Sequence, residues 1–117
     1  MESRKQKRVT EEVAHMASEY LVREAPIRAL ITVTRAEMSS DLKRAIILLS
    51  VLPESKEGEV LRFARRERSN FRAHLLEHSK IRPTPFVDFN IDEGEKNRLR
   101  IDALTRKKGH GGTRTRA

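Results

Sequence analysis

The sequence contains no cysteine and no tryptophan, and aromatic residues make up only 4% of its 117 positions. Without cysteine, the chain can form neither a disulfide framework nor a thiolate metal site, which fits a reducing compartment. The amino-terminal segment lacks the apolar stretch of a secretory signal. The longest apolar run, at 45–49, has the length of a strand and is far short of the roughly 20 residues that a membrane-spanning helix needs. We therefore expect a cytoplasmic protein with no membrane partner.

Charged residues, by contrast, are abundant: they make up 36% of the chain, with a net charge of +8, against a usual charged share of about 25%. The excess positive charge lies at the two ends, with four Lys/Arg and one acid in residues 1–8, and five Lys/Arg and no acid in residues 106–117. Residues 60–82 add seven Lys/Arg against two acids, in a body that is otherwise acidic. Such a localised basic surface suits the phosphates of nucleic acid. The alternative is a solvated surface that keeps the protein soluble.

The spacing of the apolar residues predicts one small domain of the α+β class. Apolar positions from 9 to 21 recur at helical spacing, runs at 31–34 and 45–52 predict strands, and apolar and polar residues alternate over 87–92 as in a half-buried strand. A helix is expected from about Ser55, and a short last helix from Glu93 to Lys107. We predict a flexible basic arm at 1–8, a folded domain at 9–105 and a disordered basic tail at 106–117, with the helices on one face of the sheet.

The helical region after the second strand contains an interruption. Its apolar stripe stops after Ala64 and resumes at Phe71. Ser69 and Asn70 both hydrogen-bond readily to nearby backbone, which disfavours a helix interior. The pattern therefore predicts two helices, or one kinked helix, joined at Ser69–Asn70, with several arginines clustered at the joint.

Five short segments, taken in order, resemble one known family. They are Arg8-Val9; Ile31-Thr32-Val33-Thr34 followed by Glu37-Met38-Ser39 and Asp41-Leu42; Ala45 with Ser50-Val51-Leu52; Phe71-Arg72; and Ile81-Arg82-Pro83-Thr84-Pro85 leading into Phe89. Their order and spacing, over residues 8 to about 105, are similar to those of the bacterial ribosome-binding factor A family.

This resemblance implies a type II KH-like domain, with the order helix, strand, strand, helix, kinked helix and strand. Such a domain has a small three-stranded sheet with helices on one face, plus a short C-terminal helix. The resemblance also implies a role in ribosome biogenesis and cold adaptation, in which the protein binds the precursor of the small ribosomal subunit and its rRNA. There it assists late maturation and 5′-end rRNA processing. The implied protein is a monomer that is released by a GTPase, needs no cofactor and is not an enzyme. A general RNA-binding or ribosomal protein of KH-like fold is the alternative.

The chain departs from the family pattern at two turns. The family marks its helix kink with Ala-x-Gly, where this chain has Arg68-Ser69-Asn70. Asn tolerates a left-handed backbone better than most residues other than Gly, so a kink can form there. The family's Asp-Pro turn after the first helix is replaced by Glu24-Ala25-Pro26-Ile27.

Basic side chains around the expected helix joint are the candidate RNA-binding residues. Guanidinium groups pair well with phosphate oxygens, and the alternative is a solvated helix face. The first set comprises Arg65, Arg66, Arg68, Asn70 and Arg72. A second set, Lys43, Arg44, Lys80 and Arg82, precedes the second and third strands and either extends the same surface or supplies ordinary charges at strand ends.

Two further motifs have a chemical interpretation and a simpler one. His74-Leu75-Leu76-Glu77-His78 matches the H-x-x-E-H zinc-peptidase motif, but no third ligand is evident and the chain is short for a peptidase cleft. A zinc hydrolase is therefore a distant alternative. Gly109-His110-Gly111-Gly112 matches the G-x-x-G backbone clamp of KH domains, but no helix follows it, which favours a linker. We predict no catalytic and no metal-binding residue.

The few aromatic residues are expected in the core rather than at a binding surface. They are Tyr20, Phe63, Phe71, Phe86 and Phe89. Proteins that bind single strands by stacking bases usually carry more aromatic side chains. The sequence therefore favours recognition of folded RNA through its backbone and shape.

Overall fold

The computed structural model describes residues 3–98 and has an α+β architecture. Its elements are α1 (Arg4–Glu24), β1 (Leu30–Met38), β2 (Arg44–Leu52), a 3-10 turn (Glu54–Lys56), α2 (Glu57–Arg66), α3 (Arg68–His78) and β3 (Phe86–Ile91), followed by helical residues at 93–98. This order is the predicted one. The remainder of the helix predicted at 93–107, and the tail predicted at 106–117, lie outside the described residues.

Helix α1 begins earlier than the sequence pattern predicts. The side chain of Ser3 accepts a hydrogen bond from the Gln6 N–H at 3.0 Å and caps the helix, because the first N–H groups of a helix have no partner inside it. The side-chain amide of Gln6 donates to the carbonyl of Met38 at 3.2 Å, which attaches the first turn of α1 to the end of β1. Residues 4–8, expected to belong to a flexible arm over 1–8, are therefore helical.

The three strands form one sheet in the order β1-β2-β3, with β1 antiparallel and β3 parallel to β2. Side chains alternate between the two faces of a strand. On one face of β2, Ala45, Ile47, Leu49 and Val51 are buried, and Phe89 of β3 lies beside Ile47. The buried residues of all three helices join them in a single core, so the helices cover one face of the sheet, as predicted.

The opposite face of the sheet is exposed at its two ends, whereas Leu48 near its middle is buried. Its two ends are marked by the pair Leu30 and Leu52, between β1 and β2, and by the pair Arg44 and Phe86, between β2 and β3. All four side chains are exposed. A sheet with helices on one face leaves such a mixed apolar and charged surface in solvent. None of the helices in the described part of the chain is both long and apolar enough to cross a membrane.

The joint between α2 and α3 lies at Glu67, not at the predicted Ser69–Asn70. The Glu67 N–H still donates to carbonyls in the last turn of α2, and its carboxylate accepts a hydrogen bond of 2.6 Å from the Tyr20 hydroxyl of α1. Ser69 and Asn70 lie in the first turn of α3, and Leu42 is the only non-glycine residue in the described part of the chain with a positive φ. The joint thus coincides with the tertiary contact between Glu67 and Tyr20 and not with the residues whose backbone preference predicted it. Asn70 does not adopt the left-handed conformation.

Candidate nucleic-acid interface

Helices α2 and α3 pack beside β3, an edge strand of the sheet, and place arginine side chains along it. Arg65 donates through Nε to the carbonyl of Phe89 at 3.2 Å. Arg68 donates to the carboxylate of Asp88 at 3.2 Å, and Arg65 lies 3.5 Å from the same carboxylate oxygen. Outward-facing carbonyls of an edge strand have no hydrogen-bond partner within the sheet. The Arg65 side chain provides a donor for one of them. Asp88 holds both guanidinium groups against the strand.

Arg72, one turn further along α3, reaches the start of β3. Its Nη2 donates to the carbonyl of Thr84 at 3.0 Å, and its guanidinium carbon lies 3.9 Å from the centroid of the Phe86 ring, which is a cation–π contact. Its Nε is buried and has no hydrogen-bond partner among the described residues. These contacts hold the guanidinium on an aromatic ring instead of leaving it free in solvent.

An open groove of about 340 Å³ lies between α3 and β3. It is lined by Arg68, Ser69, Arg72 and Ala73 of α3 and by Phe86 and Val87 of β3. We call it the α3–β3 groove. Two of the predicted RNA-binding arginines therefore share a groove with an aromatic ring.

The start of β2 brings two more of the predicted residues to this end of the sheet. Arg44 is paired with Phe86 across the β2–β3 ladder, and the Lys43 carbonyl accepts the Phe86 N–H at 2.9 Å. Both basic side chains are exposed, and within residues 3–98 neither makes a side-chain hydrogen bond or an ion pair. Parallel pairing of β2 with β3 thus places Lys43 and Arg44 next to the α3–β3 groove.

The remaining predicted residues do not line the groove. Arg66 and Lys80 are exposed, and in the described part of the chain their side chains make no hydrogen bond. Asn70 donates to the carboxylate of Glu67 at 3.4 Å. Arg82 donates to three carbonyls at and just beyond the end of α3, at 2.8, 3.1 and 3.4 Å, so its guanidinium covers groups that a helix end leaves unpaired.

Two residues of this surface, Phe86 and Asp88, are missing from the predicted site. Phe86, expected in the core, is 59% exposed, so that expectation is wrong. The signal was available, because Phe86, Asp88 and Asn90 share one face of an alternating strand, and the two polar residues identify that face as the solvent side. The sequence did not indicate that the acidic Asp88 belongs to the basic surface, because only its contacts with two arginines in the folded protein connect it to that surface.

His74, the first residue of the H-x-x-E-H motif, lies on the side of α3 that faces α1. The His74 ring is 5.4 Å from the Tyr20 ring and 4.4 Å from the His78 ring. Burial, followed by electrostatic interactions with His78 and Arg23, holds the pKa of His74 below its ordinary value. Within residues 3–98 no three His, Cys, Asp or Glu side chains come together as a metal site. Packing against α1 is sufficient to explain the position of the His74 side chain. The G-x-x-G copy at 109–112 lies outside the described residues.

Sequence and fold both have known relatives. Residues 2–105 match the family model described as Ribosome-binding factor A. A ribosome-binding factor A of Fervidobacterium nodosum is 30% identical over 80 residues, covering 68% of this chain and 64% of that protein, which is just under two thirds of its length. One of Syntrophomonas wolfei is 24% identical over 109 residues, covering 89% of each. The crystal structure of ribosome-binding factor A from Thermus thermophilus matches the fold with a TM-score of 0.65 at 20% identity, covering 73% of this chain and 93% of that one.

Proposed function

Because this chain belongs to the ribosome-binding factor A family, we propose that it binds the precursor of the small ribosomal subunit and assists its late maturation. In this role the protein contacts small-subunit rRNA, acts around the processing of the rRNA 5′ end, and leaves with the help of a GTPase. It works as a monomer in the cytoplasm and carries out no covalent chemistry of its own. The alternative, a general RNA-binding or ribosomal protein of the same fold, is tested by the same experiment.

The basic surroundings of the α3–β3 groove are the observation that carries the proposal. Arg68 and Arg72 line the groove, and Lys43 and Arg44 lie beside it with exposed side chains. Clustered guanidinium and ammonium groups bind phosphates and release counterions. Arg68 and Arg72 are already held by protein acceptors, so less side-chain entropy is lost when they meet a ligand. This arrangement favours a polyanion such as rRNA.

Co-sedimentation with purified small subunits, mature and immature, tests this function. At moderate salt we expect more of the protein to sediment with immature than with mature particles. Equal binding to both particles and to free RNA would instead support the general RNA-binding alternative and contradict a role in assembly.

A pair of charge reversals connects that experiment to the groove. Arg44→Glu changes an exposed residue beside the groove, whereas Arg28→Glu changes an exposed residue just before β1, at the far end of the sheet. Both variants alter the net charge equally. Removing a side chain that neutralises one phosphate should lower the slope of log affinity against log salt by about 0.7–0.9. Of the two variants, we expect only Arg44→Glu to show this decrease. Equal behaviour of the two variants would remove this end of the sheet from the interface.

A further inference from the structure

Phe86 is the one exposed aromatic residue of the chain, and it lies in a basic groove. All five aromatic residues fall within residues 3–98, and the other four are buried: Tyr20, Phe63, Phe71 and Phe89. Each of these four removes a large ring from water, the usual role of so apolar a side chain. Phe86 leaves 59% of its surface in solvent, so its place is not explained by the core.

We propose that Phe86 is a platform on which an unpaired RNA base stacks, which makes the α3–β3 groove a subsite for a single nucleotide. The proposal rests on the proposed RNA-binding function and names the chemistry that this groove recognises. It adds base stacking to the expectation, drawn from the scarcity of aromatic residues, that the protein recognises folded RNA through its backbone and shape.

The ring is held by a cation–π contact, and the backbone of Phe86 is hydrogen-bonded to β2. The Arg72 guanidinium lies 3.9 Å from its centroid and is itself fixed by a hydrogen bond of 3.0 Å to the carbonyl of Thr84. The Phe86 N–H donates to the carbonyl of Lys43 at 2.9 Å, which attaches the residue to β2. A ring that is already ordered loses little freedom when a planar partner packs on it, and aromatic rings of this kind are common sites of base stacking.

Charge complementarity identifies a nucleotide, rather than an apolar peptide, as the occupant. Arg68 and Arg72 line the groove with the ring, and Arg44 is paired with Phe86 across the sheet. A base attached to its phosphate offers a flat face to the ring and a negative charge to the arginines. An apolar side chain would cover the ring but would offer no negative charge to these arginines. The groove volume of about 340 Å³ is at the lower end of small-molecule sites, which run from about 300 to 1,000 Å³.

Binding of a single-stranded oligoribonucleotide that contains one 2-aminopurine tests the platform. Stacking on an aromatic side chain quenches the fluorescence of this base. Phe86→Leu keeps an apolar side chain but removes the ring, and should weaken affinity for the probe about 5- to 100-fold, the range of single stacking contacts, and abolish the quenching. Phe86→Trp offers a larger ring and should retain both affinity and quenching.

Two matched variants separate stacking from charge and from folding. Leu76→Ala removes a similarly exposed apolar side chain, 52% accessible, from α3 outside the groove, and should bind the probe like wild type. Arg68→Gln should lower the salt slope, whereas Phe86→Leu should leave the slope unchanged because a ring neutralises no phosphate. Thermal unfolding of each variant establishes that it is folded at the temperature of the assay.

The outcomes separate this inference from the proposed function. If Phe86→Leu binds and quenches the probe like wild type, or if wild-type protein does not bind it, the subsite is wrong, whatever the result with ribosomal particles. If Phe86-dependent quenching occurs but immature subunits are not preferred, the subsite stands and the assembly role fails.

Discussion

Asp88 is an acidic side chain placed among the basic residues of the proposed interface. Its carboxylate accepts a hydrogen bond of 3.2 Å from Arg68 and lies 3.5 Å from Arg65. The same oxygen accepts the Phe89 N–H at 2.8 Å, so the side chain also covers an amide of the strand edge. A phosphate that approaches these guanidinium groups must compete with this carboxylate and is repelled by it.

We therefore expect Asp88→Asn to raise affinity for RNA about two- to five-fold, because pairs of this exposure contribute up to about 1 kcal/mol. The amide keeps the shape of the side chain and an acceptor for the Phe89 N–H. Titration of the variant with the oligoribonucleotide at two salt concentrations measures the change. A loss of affinity would mean that Asp88 serves chiefly to position Arg65 and Arg68.

Asp92, at the end of β3, connects three elements. Its carboxylate accepts hydrogen bonds from the Thr34 hydroxyl at 2.5 Å and from the Glu95 N–H at 3.0 Å, and it lies 3.6 Å from Nε of Arg35. It therefore caps the helical residues at 93–98 and links them to β1. The hydrogen bond from Thr34 is the largest cause that holds its pKa below the ordinary value, followed by the Glu95 N–H and the charge of Arg35.

This pKa shift predicts how stability depends on pH. A carboxylate with a lowered pKa in the folded state stabilises the protein above its unfolded-state pKa of about 3.9, and the contribution is lost as pH falls through the folded-state value. Asp92→Asn should therefore lower the free energy of unfolding by about 1–3 kcal/mol near neutral pH, with a smaller difference from wild type in acid. Urea unfolding of both proteins at neutral and at acid pH measures this difference in the free energy of unfolding.

Glu93→Gln, at an exposed neighbouring position, is the control for general effects of charge removal. A difference between wild type and Asp92→Asn that stays constant into acid would contradict the assignment of this pKa shift to Asp92.

Among the elements, the joint between α2 and α3 carries a hydrogen bond between distant parts of the chain. The Tyr20 hydroxyl of α1 donates to Glu67 at 2.6 Å, and the Tyr20 ring contacts the Phe71 ring edge-on at 5.3 Å. Burial, and then the Glu67 carboxylate, raise the pKa of Tyr20 well above its ordinary value, so the phenol keeps its proton and remains a donor. We expect this contact to position α3 and, with it, the arginines that line the groove.

A double-mutant cycle of Tyr20→Phe and Glu67→Ala measures that contact. Each single change should lower the free energy of unfolding by about 1–3 kcal/mol, as for hydrogen bonds to charged groups, and the double variant should lose much less than the sum. Glu77→Ala, which removes an exposed carboxylate from α3, should have little effect. Additive losses in the cycle would show that the hydrogen bond does not hold the joint.

For the whole molecule, the distribution of charge predicts two modes of contact with RNA. Residues 106–117 carry five Lys/Arg and no acid, which suits contacts that do not depend on sequence, while the groove carries an ordered ring and arginines. Removing residues 106–117 should lower the salt slope by about 0.7–0.9 for each phosphate that the tail neutralises. It should leave the 2-aminopurine quenching intact, as titrations of the shortened and full chains over a salt series would show. Loss of quenching would indicate that the tail takes part in the groove.

Local patterns were sufficient to predict the order of the elements, and particular residues show why. The alternation of Val87, Phe89 and Ile91 with polar residues identified β3 and its buried face, and the apolar run 45–52 identified the central strand. Periodicity is a property of neighbouring residues, so it can be found in the sequence. Composition likewise located the basic segment 60–82, and the family resemblance rested on spacing along the chain.

The membership of the candidate site was decided by tertiary structure. Phe86 and Arg44 are 42 positions apart and meet only because β3 pairs with β2 in parallel, and Tyr20 and Glu67, 47 positions apart, meet only when α1 packs on α3. Arg82 and Arg68 have the same side chain, yet one covers a helix end and the other lines the groove. Sequence alone determined which elements form and that one segment is basic. Contacts between distant residues decided which charges converge and which ring stays exposed, because those contacts exist only once the chain has folded.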